Sequence, residues 1–243
     1  ASYRNRYVQT AGYKAEKKAG RAIWHGLMDM GPNFNLSEEE RGDVGISKNA
    51  GNTALVWHDG QLLTLWEGGE PHAIKLPGLE TLGAYDFCGK LVSAFTAHPK
   101  VDEVTGEMMF FGYNPMAAPH VQYSVVSKDG ELLFTRPIDI PRGVMMHDFA
   151  ITENYTIFMD HPLTFSFERA MKGGGVLEFE RDLPSRYGIM PRHGTTEDMK
   201  WFEMPAHYVY HTSNAHEEGD EVIVMGSRLR STNVLQPAEQ PKD

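Results

Sequence analysis

The stretch VMMHDFAITENYTIFMD, residues 144–160, contains two short apolar runs on either side of the polar residues 152–154. Apolar runs of this length around a tight polar turn predict two antiparallel strands joined as a β-hairpin. His147 lies where the first of these strands is expected to begin, and Asp148 follows it. A histidine in such a place more commonly bonds to nearby backbone than to a metal. Its role therefore depends on what the rest of the chain contains.

The hairpin pattern recurs along the chain. Three further pairs of apolar runs surround turn-forming residues: 53–58 with 61–66, 121–127 with 131–135, and 207–213 with 221–227. A helical pattern is confined to residues 13–28, whereas residues 115–119 and 181–196 are predicted to be long surface loops. Successive hairpins with little helix predict an all-β fold, either a meander, a sandwich or a propeller.

Length and composition allow one large all-β domain or two smaller ones. We expect a single domain over residues 1–243, with a flexible tail at 236–243. The chain is 41% hydrophobic, which suffices for a core. No apolar run approaches the roughly 18 to 20 residues that a membrane span requires. The sequence therefore argues against a membrane span, while contact with a membrane surface stays open.

The charge and cysteine content restrict the partners and the chemistry. Lysine and arginine number 23 against 33 acidic residues, a net charge of −10. Because this charge repels a phosphate backbone and the basic residues do not cluster, nucleic acid is not expected as a partner. Cys88 is the only cysteine, which fits a reducing compartment and excludes a thiolate metal cluster. Any bound metal would need imidazole or carboxylate ligands.

Three of the 11 histidines occupy similar settings, each beside an apolar strand and a polar turn. His98 precedes His147 by 49 residues, and His211 follows His147 by 64 residues. These separations are far too wide for a zinc finger and are typical of one ligand from each supersecondary unit. Imidazole ligands with open positions suit iron(II), although the ligand type alone also allows zinc.

Four segments carry a family resemblance. They are LLTLWEGGEPH (62–72), FTAHPKVDEVTGEMMFFGY (95–113), MMHDFAITENYTIF (145–158) and HTSNAHEEGDEVI (211–223). In this order they resemble successive motifs of the carotenoid cleavage oxygenase family, which includes the retinal pigment epithelial membrane protein. The resemblance extends from about Asn52 to Arg228.

This resemblance implies a seven-bladed β-propeller, of which the chain would cover roughly half, with Fe(II) held on the axis by four histidines. His98, His147 and His211 correspond to three of those ligands. Glu67 corresponds to a glutamate that accepts the second N–H of a ligating imidazole, and Thr53 to a threonine that restricts an open iron position. No histidine of this chain lies in a context that matches the fourth ligand.

The family's activity implies oxidative cleavage of a carbon–carbon double bond by dioxygen, without an organic cofactor. Stilbene-cleaving members have a lysine where this chain has Trp66, so the resemblance favours a carotenoid or apocarotenoid, with a stilbene as the alternative. Phe95, Met145, Met146, Phe149 and Tyr210 are candidates for the substrate tunnel or, more simply, for the core.

A complete family member is about twice as long as this chain. The sequence is therefore expected to be part of a longer enzyme. The alternatives are a truncated protein with another arrangement and a non-catalytic module that binds an apolar ligand. The expected location is the cytoplasm, or a plastid if a targeting segment precedes the sequence.

Overall fold

The computed structural model describes residues 3–24, 36–44, 48–172 and 174–232, in which β-strands are the main regular structure and helices are few. The predicted all-β fold is confirmed. Sixteen strands are present in the described ranges, and every strand pairing given for them is antiparallel. No helix among the described residues combines the length and the apolar character needed to cross a membrane.

The strands form three four-stranded and two two-stranded sheets. The first four-stranded sheet has the order β1 (Ala54–His58), β2 (Gln61–Leu65), β3 (His72–Lys75), β4 (Glu80–Ala84), and the second has the order β5 (Lys100–Val101), β6 (Met108–Tyr113), β7 (Val121–Val126), β8 (Leu132–Ile138). The third sheet contains, from one edge to the other, β14 (Lys200–Met204), β13 (Ser185–Pro191), β10 (Tyr155–Asp160) and β9 (Ala150–Ile151). The two-stranded sheets pair β11 (Leu163–Phe165) with β12 (Leu177–Phe179) and β15 (Tyr208–Glu218) with β16 (Glu221–Leu229).

The helices are short. Within the described ranges they are α1 (Ala11–Ala19), α2 (Glu38–Arg41) and α3 (Phe167–Met171), with 3-10 turns at Gly42–Val44 and Thr196–Asp198. Helix α1 begins after Thr10, whose hydroxyl accepts a hydrogen bond from the Tyr13 N–H, and it ends at Gly20 with φ of 68°. This is the helix predicted over residues 13–28, shifted towards the N-terminus. Residues 25–28 lie outside the described ranges, as does the predicted tail at 236–243.

The chain divides into two compact units. The first consists of residues 1–109 and 126–133, and the second of residues 110–125 and 134–243. The prediction of one domain over residues 1–243 stays a prediction.

The turn between β1 and β2 follows from its sequence. Asp59 and Gly60 have φ of 45° and 69°, and His58 pairs with Gln61 across the turn. A type I′ turn requires positive φ at both central residues, and Asp-Gly is a preferred pair for it. The predicted first hairpin is therefore confirmed, and so are the hairpins at β7–β8 and β9–β10.

The predicted surface loop at residues 181–196 is wrong. Seven of its residues form β13, a central strand that pairs with β10 on one side and β14 on the other. Pro184 and Pro191 suggested a loop, but they lie just before the strand and at its last residue, positions at which proline is tolerated. The predicted loop at 115–119 does lie between two strands.

Each unit has its own buried apolar residues. Leu63, Leu65, Phe95 and Met108 are at most 1% exposed in the first unit, as are Phe110, Phe111, Tyr123, Phe149 and Phe158 in the second. The ring of Phe149 contacts Phe111 edge-on at 5.3 Å and stacks on Phe158 at 6.2 Å. Because burial of one such side chain contributes about 1.5–3 kcal/mol, this cluster fixes the segment that precedes and includes β9.

Candidate metal centre

His147 lies in a segment without regular secondary structure, between two side chains that anchor it in the second unit. Met146 and Phe149 are 1% and 0% exposed, whereas the imidazole of His147 is half-buried. The expectation that His147 opens a strand needs a small correction, because β9 begins only at Ala150. The core on both sides of His147 still limits its backbone to one position.

His211 lies in β15, where the regular pairing with β16 is interrupted. Register shifts occur between Val209 and Thr212 and again between Thr212 and Asn214. Gly226 of β16 faces this irregularity, and a Cβ there would lie 3.1 Å from the carbonyl oxygen of His211. Since β-bulges redirect side chains out of the normal alternation, the irregularity gives His211 an orientation that a regular strand would not.

The two imidazoles meet. The Nε2 atoms of His147 and His211 are 3.2 Å apart, and their rings cross at 71° with centroids 4.9 Å apart. The ring of Tyr210 contacts that of His147 edge-on at 5.9 Å. The Nε2 atoms of His147 and His211 therefore face each other, and the ring of Tyr210 packs against His147.

This separation fits two ligands of one metal ion. Imidazole nitrogens lie about 2.1 Å from a bound transition metal, so that adjacent ligands at right angles are ~3.0 Å apart and tetrahedral ligands are somewhat further apart. The observed 3.2 Å between the Nε2 atoms falls within this range. Neutral imidazole is a suitable donor for iron, zinc and copper, so the pair does not by itself identify the metal.

In the first unit, the segments of His98 and Glu67 are joined through the backbone. The N–H of Phe95 donates to the carbonyl oxygen of Gly69 at 3.1 Å. The backbone N–H of His98 donates to the Thr96 hydroxyl at 3.1 Å. Both His98 and Glu67 are half-buried. Thus the first unit holds two of the predicted site residues on adjoining loops.

Thr53 continues the pairing of β1 with β2. Its N–H donates to the carbonyl oxygen of Leu65 at 2.9 Å, which places it across from the strand that leads to Glu67. The Thr53 side chain is exposed, and its hydroxyl lies 3.4 Å from the amide oxygen of Asn52. A threonine so placed presents its side chain away from the core of its unit.

Other histidines have structural roles. Nε2 of His58 lies 2.9 Å from the carbonyl oxygen of Gly106. His207 is 2% exposed and is held at both ring nitrogens, by the Tyr187 hydroxyl at 2.8 Å and the Pro205 carbonyl oxygen at 2.7 Å. These contacts give His207 a structural role within the second unit.

His161, in the second unit, is 1% exposed, and only one of its ring nitrogens forms a hydrogen bond among the described residues. Its Nδ1 accepts the N–H of Val209 at 3.2 Å, while its Nε2 has no hydrogen-bond partner among the described residues. Burial, with a smaller contribution from His207, lowers the pKa of His161 to about 3. The ring is therefore neutral at physiological pH.

The candidate tunnel residues lie in the core or pack against it, and Tyr210 also contacts the ring of His147. Phe95, Met146 and Phe149 are at most 1% exposed and belong to the core, whereas Met145 and Tyr210 are half-buried. The second unit also has a cleft of about 1180 Å³ lined by residues of β13, β14, β15 and β16. Neither His147 nor His211 lines this cleft.

Known proteins resemble this chain over nearly all of its length. The family model for the retinal pigment epithelial membrane protein matches residues 1–243. Carotenoid 9,10(9′,10′)-cleavage dioxygenase of Crocus sativus is 40% identical over 248 residues, which cover 96% of this chain and 45% of that protein.

Two solved structures show the same fold. Lignostilbene dioxygenase of Pseudomonas brassicacearum matches with a TM-score of 0.80 and 36% identity, over 91% of this chain and 45% of that one. Cobalt-substituted apocarotenoid oxygenase of Synechocystis matches with a TM-score of 0.78 and 28% identity, over 94% and 49%. The chain thus spans about half the length of its relatives, and its fold is the corresponding part of their β-propeller. With a family match over all 243 residues, the chain belongs to the retinal pigment epithelial membrane protein family, that of the carotenoid cleavage oxygenases.

Proposed function

We propose that the protein to which this chain belongs is a non-haem iron dioxygenase that cleaves a carbon–carbon double bond of a conjugated apolar substrate. One molecule of dioxygen and one double bond give two carbonyl products, so no external reductant is needed. The observation that carries the proposal is the convergence of the His147 and His211 Nε2 atoms to 3.2 Å.

The proposed ligands of Fe(II) are His98, His147 and His211. Each offers one imidazole nitrogen, and among the described residues this group of possible ligands contains no cysteine. His98 is half-buried, as is His147, while His211 is exposed. Three neutral imidazoles leave further positions on the ion for dioxygen or another ligand. The cobalt-substituted relative supports a metal-dependent site of this kind.

When bound, the iron would supply the activation of dioxygen. The residues of this chain perform the other tasks. The buried Met146 and Phe149 keep the backbone of His147 in place, and the edge of Tyr210 limits rotation of the His147 ring. A ligand that is fixed before the metal binds loses less conformational freedom on binding.

Glu67 and Thr53 are proposed to act beside the ligands. A glutamate that accepts the second N–H of an imidazole fixes its tautomer and raises its basicity. Two solved variants of the Synechocystis oxygenase replace a threonine by alanine and a glutamate by glutamine, and these two positions are fourteen residues apart. Thr53 and Glu67 have the same separation, which supports the assignment of both.

The proposed substrate is a carotenoid or apocarotenoid. Trp66 supports this choice, because its ring lies against Gly68 and Gly69 and offers an apolar surface rather than a cation. A phenolic stilbene is the second candidate, and it is favoured by the 36% identity with lignostilbene dioxygenase. The other proposed partner is dioxygen. Because an apolar substrate partitions into lipid, peripheral contact with a membrane would give the protein access to it.

The proposed location is the cytoplasm, with a plastid as the alternative. The support is chemical: Cys88 is a free and exposed thiol, which is typical of reducing compartments. Fractionation of cells that express the complete protein, with blotting of each fraction, tests this point.

The activity test uses the complete protein, reconstituted with Fe(II) and supplied with an apocarotenal or a hydroxylated stilbene. Mass spectrometry of the products in ¹⁸O₂ is expected to show two carbonyl fragments from the apocarotenal, both dependent on iron. Cleavage of the stilbene but not of the apocarotenal would identify a phenolic stilbene as the substrate. Tight binding of the polyene without cleavage would instead indicate a non-catalytic binding module.

A further inference from the structure

A single carboxylate connects the residues that follow the two paired histidines. Asp148 is 2% exposed. Its Oδ1 accepts the N–H of Phe149 at 2.8 Å, and its Oδ2 accepts both the N–H and the hydroxyl of Thr212, at 2.9 and 3.0 Å. Asp148 is next to His147 and Thr212 is next to His211.

These contacts explain why a carboxylate is tolerated in the core. Burial of an unpaired carboxylate is strongly unfavourable, whereas three N–H or O–H donors stabilise its charged form. The Thr212 hydroxyl also lies 3.3 Å from the carbonyl oxygen of Phe149. The side chain of Thr212 therefore contacts both the carboxylate and the backbone of the opposite segment.

The contact occurs where β15 would otherwise be poorly defined. Register shifts lie on both sides of Thr212, so that pairing with β16 leaves the strand irregular around His211. Asp148 supplies an anchor at this point from a segment 64 residues away in sequence. Because the segment of Asp148 is itself fixed by the buried Phe149, the anchor is a rigid one.

We propose that Asp148 is a positioning residue, and that its bonds to Thr212 set the separation of His147 and His211. The inference rests on the proposed function, in which the two histidines hold a metal. Asp148 acts through the backbone of the two histidines rather than as a ligand, since both of its oxygens already accept hydrogen bonds within the core.

The test compares matched variants of the complete protein. Asp148→Asn places an amide N–H₂ or a weaker acceptor opposite the donors of Thr212, and Thr212→Val removes only the hydroxyl. Thr212→Ser restores the hydroxyl. Thr156→Val is the control for Thr212→Val, because it also removes a buried hydroxyl, bonded to Tyr123 at 2.9 Å, in the same unit. Thermal unfolding monitored by circular dichroism confirms that each variant is folded.

Two readouts separate this inference from the proposed function. The first is the ¹⁵N chemical shift of the imidazole nitrogens of His147 and His211 in the metal-free protein, which reports their hydrogen bond. The second is affinity for Co²⁺, titrated without oxygen and followed by visible absorption. In Asp148→Asn and Thr212→Val, the ¹⁵N shifts of His147 and His211 are expected to lose the signature of their mutual hydrogen bond. The affinity for Co²⁺ should fall about 10- to 100-fold. Thr212→Ser and Thr156→Val should resemble the wild type.

Unchanged imidazole shifts in Asp148→Asn and Thr212→Val would overturn the inference, whatever the metal affinity. If the wild type binds no Co²⁺ but the two variants lose the imidazole coupling, the positioning role stands and the proposed metal function fails.

Discussion

The rings of His147 and His211 approach within hydrogen-bonding distance, with 3.2 Å between their Nε2 atoms, although 64 residues separate them in sequence. In this hydrogen bond the tautomers decide which Nε2 donates and which accepts. In the proposed site, each Nε2 would instead donate its lone pair to the metal. The 3.2 Å separation is compatible with both arrangements.

Replacement of either histidine by alanine is expected to abolish iron binding. His147→Ala or His211→Ala removes one converging nitrogen and leaves too few ligands for a stable site. The measurement is iron content after anaerobic reconstitution of the complete protein. His216→Ala is the control, because His216 is in the same strand and bonds to Glu218 at 3.0 Å instead. An iron-replete His147→Ala variant would refute the ligand assignment.

Glu67→Gln is expected to weaken metal binding without loss of structure. A neutral amide orients an imidazole less well than a carboxylate, and such substitutions typically cost about 10- to 100-fold in affinity. Anaerobic titration with Co²⁺ measures the change. Glu70→Gln, an exposed acid in the same loop, serves as the control. Equal affinities for both variants would show that Glu67 does not support a ligand.

Acid is expected to destabilise the protein partly through His161. An unfolded histidine has a pKa near 6.5, whereas burial lowers the pKa of His161 to about 3. Between these values the unfolded chain binds a proton that the folded chain does not, so stability falls as the pH decreases through this range. The slope approaches about 1.4 kcal/mol per pH unit for one group.

Urea unfolding between pH 7 and pH 4 tests this expectation, with His161→Gln as the variant. Glutamine keeps an acceptor for the Val209 N–H but does not titrate, so the pH dependence should become shallower. His216→Gln, on the partly exposed face of β15, is the comparison. The same slope in His161→Gln and wild type would contradict the assignment.

Arg186 is expected to be essential for the stability of the second unit. Its Nε donates to Oδ2 of Asp160 at 2.8 Å, its guanidinium lies 4.4 Å from the centroid of the Trp201 ring, and Asp160 is 3% exposed. Burial raises the pKa of Asp160, while Arg186 opposes this effect. Arg186→Met leaves the carboxylate buried without this partner, at a cost of about 3–5 kcal/mol.

Denaturant unfolding of Arg186→Met and of Lys172→Met measures the difference. Lys172 bonds to Glu168 on an exposed helix face, and exposed pairs contribute only about 0.3–0.5 kcal/mol. If both variants lost a similar free energy of unfolding, the buried Arg186–Asp160 pair would contribute no more than an exposed pair.

Much of the fold could be predicted because local rules act over a few residues. Asp59 and Gly60 determine a type I′ turn and hence the pairing of β1 with β2. The hairpin of β15 and β16 was also predicted, but it is longer than expected, with its turn at Gly219 and Asp220 only. Strand β13 was missed because its flanking prolines resemble loop signals, and only pairing with β10 and β14 reveals it.

The site was predictable in part. His147 and His211 were singled out by their settings and by family resemblance, and the structure brings them together. The link between Asp148 and Thr212 was not foreseen, because it joins segments 64 residues apart and depends on the irregular pairing of β15. In the sequence, this link is visible only as Asp148 directly after His147 and Thr212 directly after His211.

The most direct test of the central claim is the iron content of the complete protein, purified without oxygen, beside that of its His147→Ala variant. The account predicts equimolar iron in the wild type and none in the variant. Absence of iron from both would contradict it and leave a propeller protein that keeps the family's histidines without binding the metal.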